Sequence, residues 1–517
     1  LLKELSALLR QIQDSPAWRA GTAIDSAQLE PLQISGVTND SRKVQSGNLF
    51  FAIDGEHHHG DDFAQMAANK GALCVFTQNP DLSCSVPVIS LSDVRLALSM
   101  AANYYFDTPS GKLRLLGVTG TNGKTTTTHL VEHILLRAGH SVGLIGTLGA
   151  RWQTKDGKIE RDDLGQTTPQ APKLQETLAT MVSRGVSHVT MEVSSHSLAL
   201  KHVFGCQFAG VCLTNITQDH LDFHKSMEQY WQAKLKLFEL ISQSQAKNKH
   251  AIVNLDEPLA GKFLKALDSS VKPLTFSWNK KADVQLESAK FDFSGSHLQL
   301  ATPYGKLDLK LKLNGPFNVY NVMAALLICL SEGVDASVCK GALEEFDGVP
   351  GRFQIVASET IGRQSSAEPL CIVDYAHTPD GLQNILKAAR VLVPAEGKLI
   401  VVFGCGGDRD TSKRPQMGEI AEKLADCAIV TSDNPRSEDP KKIIAEILAG
   451  ITRLSHVQVE ADRAKAINMA VSQAGGKDVV VIAGKGHEDY QILADRTISF
   501  DDRLQVKNAL QLKQQRV

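Results

Sequence analysis

The sequence predicts an α/β protein of three domains, and three observations carry that reading. Its 517 residues exceed what one hydrophobic core serves, since domains run to roughly 150 residues. Short apolar runs rich in β-branched residues alternate with helical patterns along most of the chain, as in largely parallel sheets covered by helices. Those runs stop at glycine or polar clusters, where ligands bind in open α/β sheets. Hydrophobic residues at 43% and charged residues at 22% exclude wholesale disorder and fibrous repeats. A formal charge of −2 supplies no overall field for nucleic acid or an anionic membrane, so neither partner is expected.

The first domain is expected over residues 1–108. Lys3, Glu4 and Arg10 break up its opening leucines, which reads as an amphipathic helix rather than a signal peptide and points to the cytoplasm. Asn48 to Ile53 reads as a strand, Val94 to Phe106 as a helix, and Asp107-Thr-Pro-Ser-Gly111 as a linker. The second domain, 109–347, has strands at Leu113 to Thr119, Val186 to Val193, Gly210 to Ile216 and Ala251 to Leu255. The third, 348–517, follows Gly348-Val-Pro-Gly351 with strands at Leu399 to Gly404, Cys427 to Ser432 and Val479 to Gly484. The longest uncharged apolar stretch, Val322 to Leu330, is too short to span a membrane. Nine cysteines without a C-x-x-C pair argue against a disulfide framework and a structural zinc site.

Gly117-Val-Thr-Gly120-Thr121-Asn122-Gly123-Lys124-Thr125-Thr126 follows an apolar strand and precedes a helical pattern with Leu130, Val131, Ile134 and Leu135. That is the context of a phosphate loop. Its glycines let backbone N–H groups converge on phosphate oxygens, Lys124 reaches the terminal phosphates, and a Thr125 or Thr126 hydroxyl can ligate Mg²⁺. The usual spacing puts a glycine at position 118, where this chain has valine.

Two further strand ends are polar. Glu192 lies in an apolar run that continues into Ser194-Ser-His196, and a buried lone carboxylate needs a partner or a metal. Thr214-Asn215 to His220-Leu-Asp222 ends the next strand. Ser226 and Gln229 then form a capping box for a helix whose apolar stripe runs Tyr230, Trp231, Phe238, Ile241. Lys234 falls at the centre of that stripe and Lys236 opposite, so Lys234 is either buried for a reason or snorkels to solvent.

In this order the motifs resemble the ATP-dependent Mur ligases of peptidoglycan synthesis: Gly120 to Thr126, Glu192 to His196, Thr214 to Asp222, Lys234, Gly315 with Asn318 and Asn321, Gly351-Arg352, and Asp374-Tyr-Ala-His377. The resemblance implies a smaller amino-terminal α/β domain, a central P-loop-type sheet with helices on both faces and a carboxyl-terminal Rossmann-like domain. These would bind, in that order, a UDP-sugar peptide, ATP and an amino acid. It implies that Lys124, Glu192, His220 and Lys234 are catalytic. It further implies that Lys234 is carbamylated by CO₂ and that this carbamate joins Thr125, Glu192 and His220 around Mg²⁺. By the same resemblance Gly120, Thr121, Asn122, Gly123, Lys124, Thr125, Thr126, Asn321, Arg352 and Asp374 are expected to bind ATP, the last near its ribose. Asn39, Ser41, Glu56, His57, His58, Thr167, Thr168 and Ser194 are expected from it to bind the UDP-sugar peptide. The consecutive histidines around His58 diverge in direction and are not read as a metal site. Relatives usually carry Gln-x-Arg where this chain has Leu200-Lys201-His202, so Lys201 or His202 is expected to substitute.

In the third domain, Asp433-Asn434-Pro435-Arg436 resembles the signature of family members that add meso-diaminopimelate, with Arg409, Gly484 and Glu488 as further contacts. An arginine can clamp the distal carboxylate that lysine lacks. Read without the family, the same four residues are a turn with a surface arginine. The activity implied is ligation of meso-diaminopimelate to UDP-MurNAc-L-Ala-D-Glu through an acyl phosphate, with release of ADP and phosphate, by a monomer. Its rivals are a lysine-adding relative, a folylpolyglutamate synthase and, from another class, a nucleotide-driven switch.

Overall fold

The computed structural model describes residues 2–20, 22, 32–55, 58–154, 157–292, 295–357 and 368–515. Among them, three parallel-rich sheets follow one another along the chain. In the first, Gly36–Thr38, Asn48–Phe51, Cys74–Thr77 and Val88–Ser90 pair in that order, all parallel. The opening leucines form the helix Leu5–Gln13, whose Leu5, Leu8, Leu9 and Ile12 are buried. That 3–4 spacing puts one apolar stripe toward the sheet.

The central sheet has eleven strands. From one edge they run Ile159–Asp162, Gly149–Gln153, Val142–Gly146, His188–Glu192, Arg114–Thr119, Phe208–Leu213, Lys249–Asn254, Val271–Ser277, Val284–Asp292, Gly295–Thr302 and Gly305–Leu311. The strands from Val142–Gly146 to Val284–Asp292 are parallel, as the alternating pattern predicts. The sheet is largely parallel as expected, and hairpins add antiparallel strands at both edges. These edge strands face water on one side, and their alternation of polar and apolar residues gives no long apolar run to notice.

Helices Lys124–Arg137 and Pro316–Ser331 pack with Leu116, Val118 and Cys212 into a core on one face. On the other, helices Ala171–Ser183 and Met227–Gln243 pack against Leu115, Val189 and Val211. Burial on both faces explains why the inner strands read as continuous apolar runs.

The third sheet runs Gln354–Val356, Leu370–Asp374, Val479–Ala483, Leu399–Phe403, Cys427–Val430, Val457–Val459. All are parallel except the first pair. Three strands adjacent in this order, Val479–Ala483, Leu399–Phe403 and Cys427–Val430, therefore end side by side. No described helix is long and apolar enough to cross a membrane.

Candidate functional site

The phosphate loop forms where strand Arg114–Thr119 turns into helix Lys124–Arg137. Gly120 and Gly123 adopt φ of +152° and +87°. A Cβ on Gly120 would lie 1.9 Å from Thr214 Oγ1, and one on Gly123 would lie 2.3 Å from Asn321 Oδ1. Both positions thus need glycine for conformation and for space. Val118 is a buried strand residue of the core, so the departure from the usual spacing falls inside the sheet. Lys124 curls back, its Nζ donating to the carbonyls of Gly120 at 2.9 Å and Thr121 at 2.8 Å. Asn122 N donates to Asn215 Oδ1 at 2.9 Å, and Thr121 Oγ1 meets Tyr230 Oη at 2.9 Å.

Glu192 is fully buried at the end of its strand. Its carboxylate accepts from Thr125 Oγ1 at 2.9 Å, Thr147 N at 2.9 Å and Thr147 Oγ1 at 3.1 Å. Arg352 reaches the same Thr125 hydroxyl at 3.3 Å and stacks 4.6 Å from the Tyr375 ring. Lys234 does not snorkel: its side chain is buried and its Nζ donates to Gly120 O at 2.8 Å, 4.5 Å from the Tyr230 ring. Two lysine nitrogens therefore share one carbonyl. Burial, and then the nearby Lys124 charge, drive the Lys234 pKa well below its usual value. The predicted capping bond is present, Gln229 N donating to Ser226 Oγ at 3.2 Å.

His220 has φ +54° and sits 3.3 Å from Asp219, its ring 4.6 Å from that of His196. Burial lowers its pKa to about 4, so it is neutral at physiological pH. Among the described residues, no three His, Cys, Asp or Glu side chains gather closely enough to hold a metal. The oxygens of Thr125 and Glu192 beside the loop nevertheless suit Mg²⁺, which prefers hard oxygen ligands, whereas Lys234 as an amine does not.

Asp374 is held by backbone amides, accepting from Phe353 N at 2.6 Å and Ala376 N at 2.8 Å. Burial raises its pKa. Asn321 approaches the loop through Thr127 Oγ1 at 3.4 Å, and Thr126 is buried in the first turn of the helix.

At the amino-terminal side, Asn39, Arg95 and Ser99 meet Gln170, Leu200 and His202 around a small cavity. Of the two expected substitutes, His202 faces this cavity with Nδ1 3.3 Å from Thr168 O. Lys201 is committed to an ion pair with Asp93. Thr168 Oγ1 donates to Glu192 O at 2.8 Å and accepts from Ser194 N at 3.1 Å, so Thr168 and Ser194 pin the strand end that bears Glu192. Thr167 joins through Thr147 at 3.2 Å. Ser41 is buried apart from the lining of that cavity, and His58 is exposed. Glu56 and His57 lie outside the described residues.

A larger cleft of about 660 Å³ runs between the central and third sheets. His196, Asp219, His220 and Asp222 line one wall, and Arg409, Asp433, Asn434, Arg436, Gly484 and Glu488 the other. The latter come from the three adjacent strand ends. Pro435 is not in the wall; its carbonyl lies where a side chain on Gly407 would project, 1.9 Å from that Cβ. Arg436 is not a free surface residue: its φ is +51° and its Nη1 donates to Gly407 O at 2.8 Å.

Sequence reasoning missed the supports behind this wall. Arg463, fully buried, pairs with Asp502 through bonds of 2.8 and 2.7 Å and donates to Ala483 O at 3.0 Å and Ser432 O at 3.4 Å. Arg414 pairs with Glu438 and Glu446 and donates to Gly406 O at 3.2 Å. Asp380 bridges the domains: its Oδ2 accepts from Asn122 Nδ2 and Thr217 Oγ1, both at 2.8 Å. Asp380 lies six residues beyond Asp374, close enough to have been suspected. Helix-borne Arg463 carried no such signal.

Comparison with known proteins gives three matches along the chain. Residues 118–329 match the Mur ligase middle domain. Residues 351–486 match the Mur ligase glutamate ligase domain, and residues 33–106 the catalytic domain of the Mur ligase family. A UDP-N-acetylmuramoyl-L-alanyl-D-glutamate–2,6-diaminopimelate ligase of Gloeobacter violaceus is 44% identical over 96% of this chain and 98% of its own length. The ligase of the same name from Listeria monocytogenes is 41% identical over 94% and 96%. A solved structure of such a ligase superposes with a TM-score of 0.69 at 32% identity, covering 99% of this chain and 100% of that one.

Proposed function

The chain belongs to the Mur ligase family, and from that premise we propose that it joins meso-diaminopimelate to the D-glutamate of UDP-MurNAc-L-Ala-D-Glu, consuming ATP. The carrying observation is the shared cleft, which sets Arg409, Asp433, Arg436 and Glu488 opposite His220 and Asp219 of the central sheet. A carboxylate is a poor electrophile, and activation by ATP overcomes that. A γ-carboxylate oxygen of the D-glutamate attacks the γ-phosphorus and ADP leaves. The amine of diaminopimelate then attacks the acyl carbon, and phosphate and a proton depart.

Lys124 is positioned to leave its loop carbonyls for the transferring phosphoryl group, and Arg352 to lie alongside it. Glu192, Thr125 and His220 would hold Mg²⁺, which neutralises charge on that group. Lys234 joins them as a carbamate. Support comes from the crowding of two lysine nitrogens on Gly120 O, which favours a neutral amine at Lys234. Such an amine attacks the carbon of CO₂, loses a proton and becomes an anionic oxygen ligand. Asn39, Ser41, Glu56, His57, His58, Thr167, Thr168 and Ser194 are proposed for the UDP-sugar peptide, with His202 in place of the family's arginine. Asn321 and Asp374 are proposed for the nucleotide. The reading places a monomer in the cytoplasm, where ATP is made available.

The test is mass spectrometry of product formed from a panel of amino acids, with each co-substrate omitted in turn. Diaminopimelate should give the tripeptide and lysine little or none. ADP formation without acceptor or UDP-dipeptide would point to a switch instead.

A further inference from the structure

Behind the acceptor wall stands a fully buried lysine that takes no part in lining the cleft. Lys485 Nζ donates to Glu488 Oε2 at 2.9 Å and Asn434 Oδ1 at 3.1 Å, and lies 3.9 Å from Asp433 Oδ1. Asn434 Nδ2 donates to the same Glu488 oxygen at 2.9 Å. Asn434 Oδ1 also accepts from Ile492 N at 3.0 Å. Asp433, Asn434 and Glu488 face the cleft; Lys485 does not. It is therefore a hub that touches three lining residues from the protein side.

We propose that Lys485 is a positioning residue that sets both the geometry and the charge of the acceptor subsite, cancelling one of its two carboxylates so that the pocket matches a zwitterionic amino-acid head. Asp433 and Glu488 carry two negative charges, and Lys485 reduces them to one. That one faces an ammonium. Arg436, on the same wall, faces the adjoining carboxylate. The inference rests on the diaminopimelate reading above.

The other groups that face this hub leave the count unchanged. Arg463 is cancelled by Asp502. Burial raises the Tyr375 pKa to about 12, partial desolvation raises that of Tyr490, and burial lowers the His487 pKa to about 4. Without Lys485, Asp433 and Glu488 would lose the cation in direct contact with them, and a carboxylate pair so deprived retains a proton toward neutrality. An incoming ammonium would have to expel it. Acceptor binding would then become coupled to proton release, strengthening as pH rises.

The experiment measures KM for meso-diaminopimelate and for ATP between pH 6 and 9 in wild type, Lys485→Met and Lys485→Met/Glu488→Gln, with thermal melts of each. Lys485→Met should raise KM for diaminopimelate on the order of tenfold at pH 7 with KM for ATP unchanged. That rise should shrink with increasing pH. The double variant, again with one net negative charge, should lose the pH dependence. A Lys485→Met profile parallel to wild type would overturn the proposal. So would a double variant that is as pH-dependent as the single one. Were Lys485→Met unable to fold, the double variant should fold again if charge is the cause; a failure of both would assign Lys485 to packing and overturn it equally. Wild type that does not use diaminopimelate at all would defeat the underlying function instead.

Discussion

The carboxyl ends of the central and third sheets face one cleft, yet they are built in opposite ways. At the central sheet, Lys124, Thr125 and Glu192 are bound to one another or to their own loop, and Glu192 has no exposed surface. The phosphate loop with the helix it opens supplies Lys124 and Thr125, and the strand beside it supplies Glu192. At the third sheet, Arg409, Asp433, Arg436 and Glu488 project from three strand ends and are braced by the buried Arg414, Arg463 and Lys485. The first arrangement suits phosphoryl transfer, in which fixed charge must be ready before the reaction. The second suits recognition. Its tips meet a ligand while rigidity comes from a layer behind them.

The contrast is testable from the largest effect downward. At the phosphate loop, Lys124→Ala should lower kcat for ADP formation by about 10³-fold or more, because it removes the charge placed to follow the transferring phosphate. Substantial turnover would break the assignment of the central end. Lys234→Ala should be nearly inactive but partly restored by added short carboxylates, while Lys234→Arg should not be restored. An arginine variant as active as wild type would favour a simple cationic role over a carbamate. Glu192→Ala should raise the Mg²⁺ requirement, which a magnesium titration reads directly.

On the recognition side, loss is expected first in stability. Asp502→Asn leaves the buried Arg463 guanidinium without its counter-charge, a change that typically costs about 3–5 kcal/mol. Urea unfolding of that variant would show whether the brace is as important as its burial suggests. Arg436→Ala should leave stability intact but raise KM for diaminopimelate by about 2–5 kcal/mol equivalent, with ATP little affected. The ratio of diaminopimelate to lysine use should fall, since the mutation removes a contact that only the former has. An unchanged ratio would return Arg436 to a turn residue. The smallest change is Ser226→Ala, which removes the cap of the helix bearing Lys234 and should cost about 1 kcal/mol in unfolding without altering acceptor choice.

How legible each end was follows from how it is assembled. The phosphate loop is contiguous, and its glycines are dictated by backbone angles and close approach, so Gly120 to Thr126 stood out from the chain alone. Lys234 was visible as a charge on an apolar stripe, and the structure decided in favour of burial over snorkelling by giving its nitrogen a carbonyl. Asp433 to Arg436 read equally well as a surface turn until three strand ends were seen to converge. Arg463 and Asp502 lie in unremarkable helical sequence, Lys485 lies inside the Gly484 to Glu488 stretch without standing out itself, and the bridging role of Asp380, six residues beyond Asp374, shows only in its contact with Asn122 across the domains.

By itself, the sequence determined what local physics controls: the alternation of strands and helices, the phosphate loop, the capped helix that carries Lys234, and the polar residues at strand ends. Strand order, the antiparallel edges, the turn of Lys201 toward Asp93 with His202 facing the cavity, and the layer of buried charges behind the acceptor wall were decided by tertiary structure. Periodicity and turn chemistry act between residues a few positions apart, whereas pairing of strands and cancellation of buried charges join residues far apart in the chain. Those choices depend on which distant group is brought near, and a one-dimensional pattern does not contain that proximity.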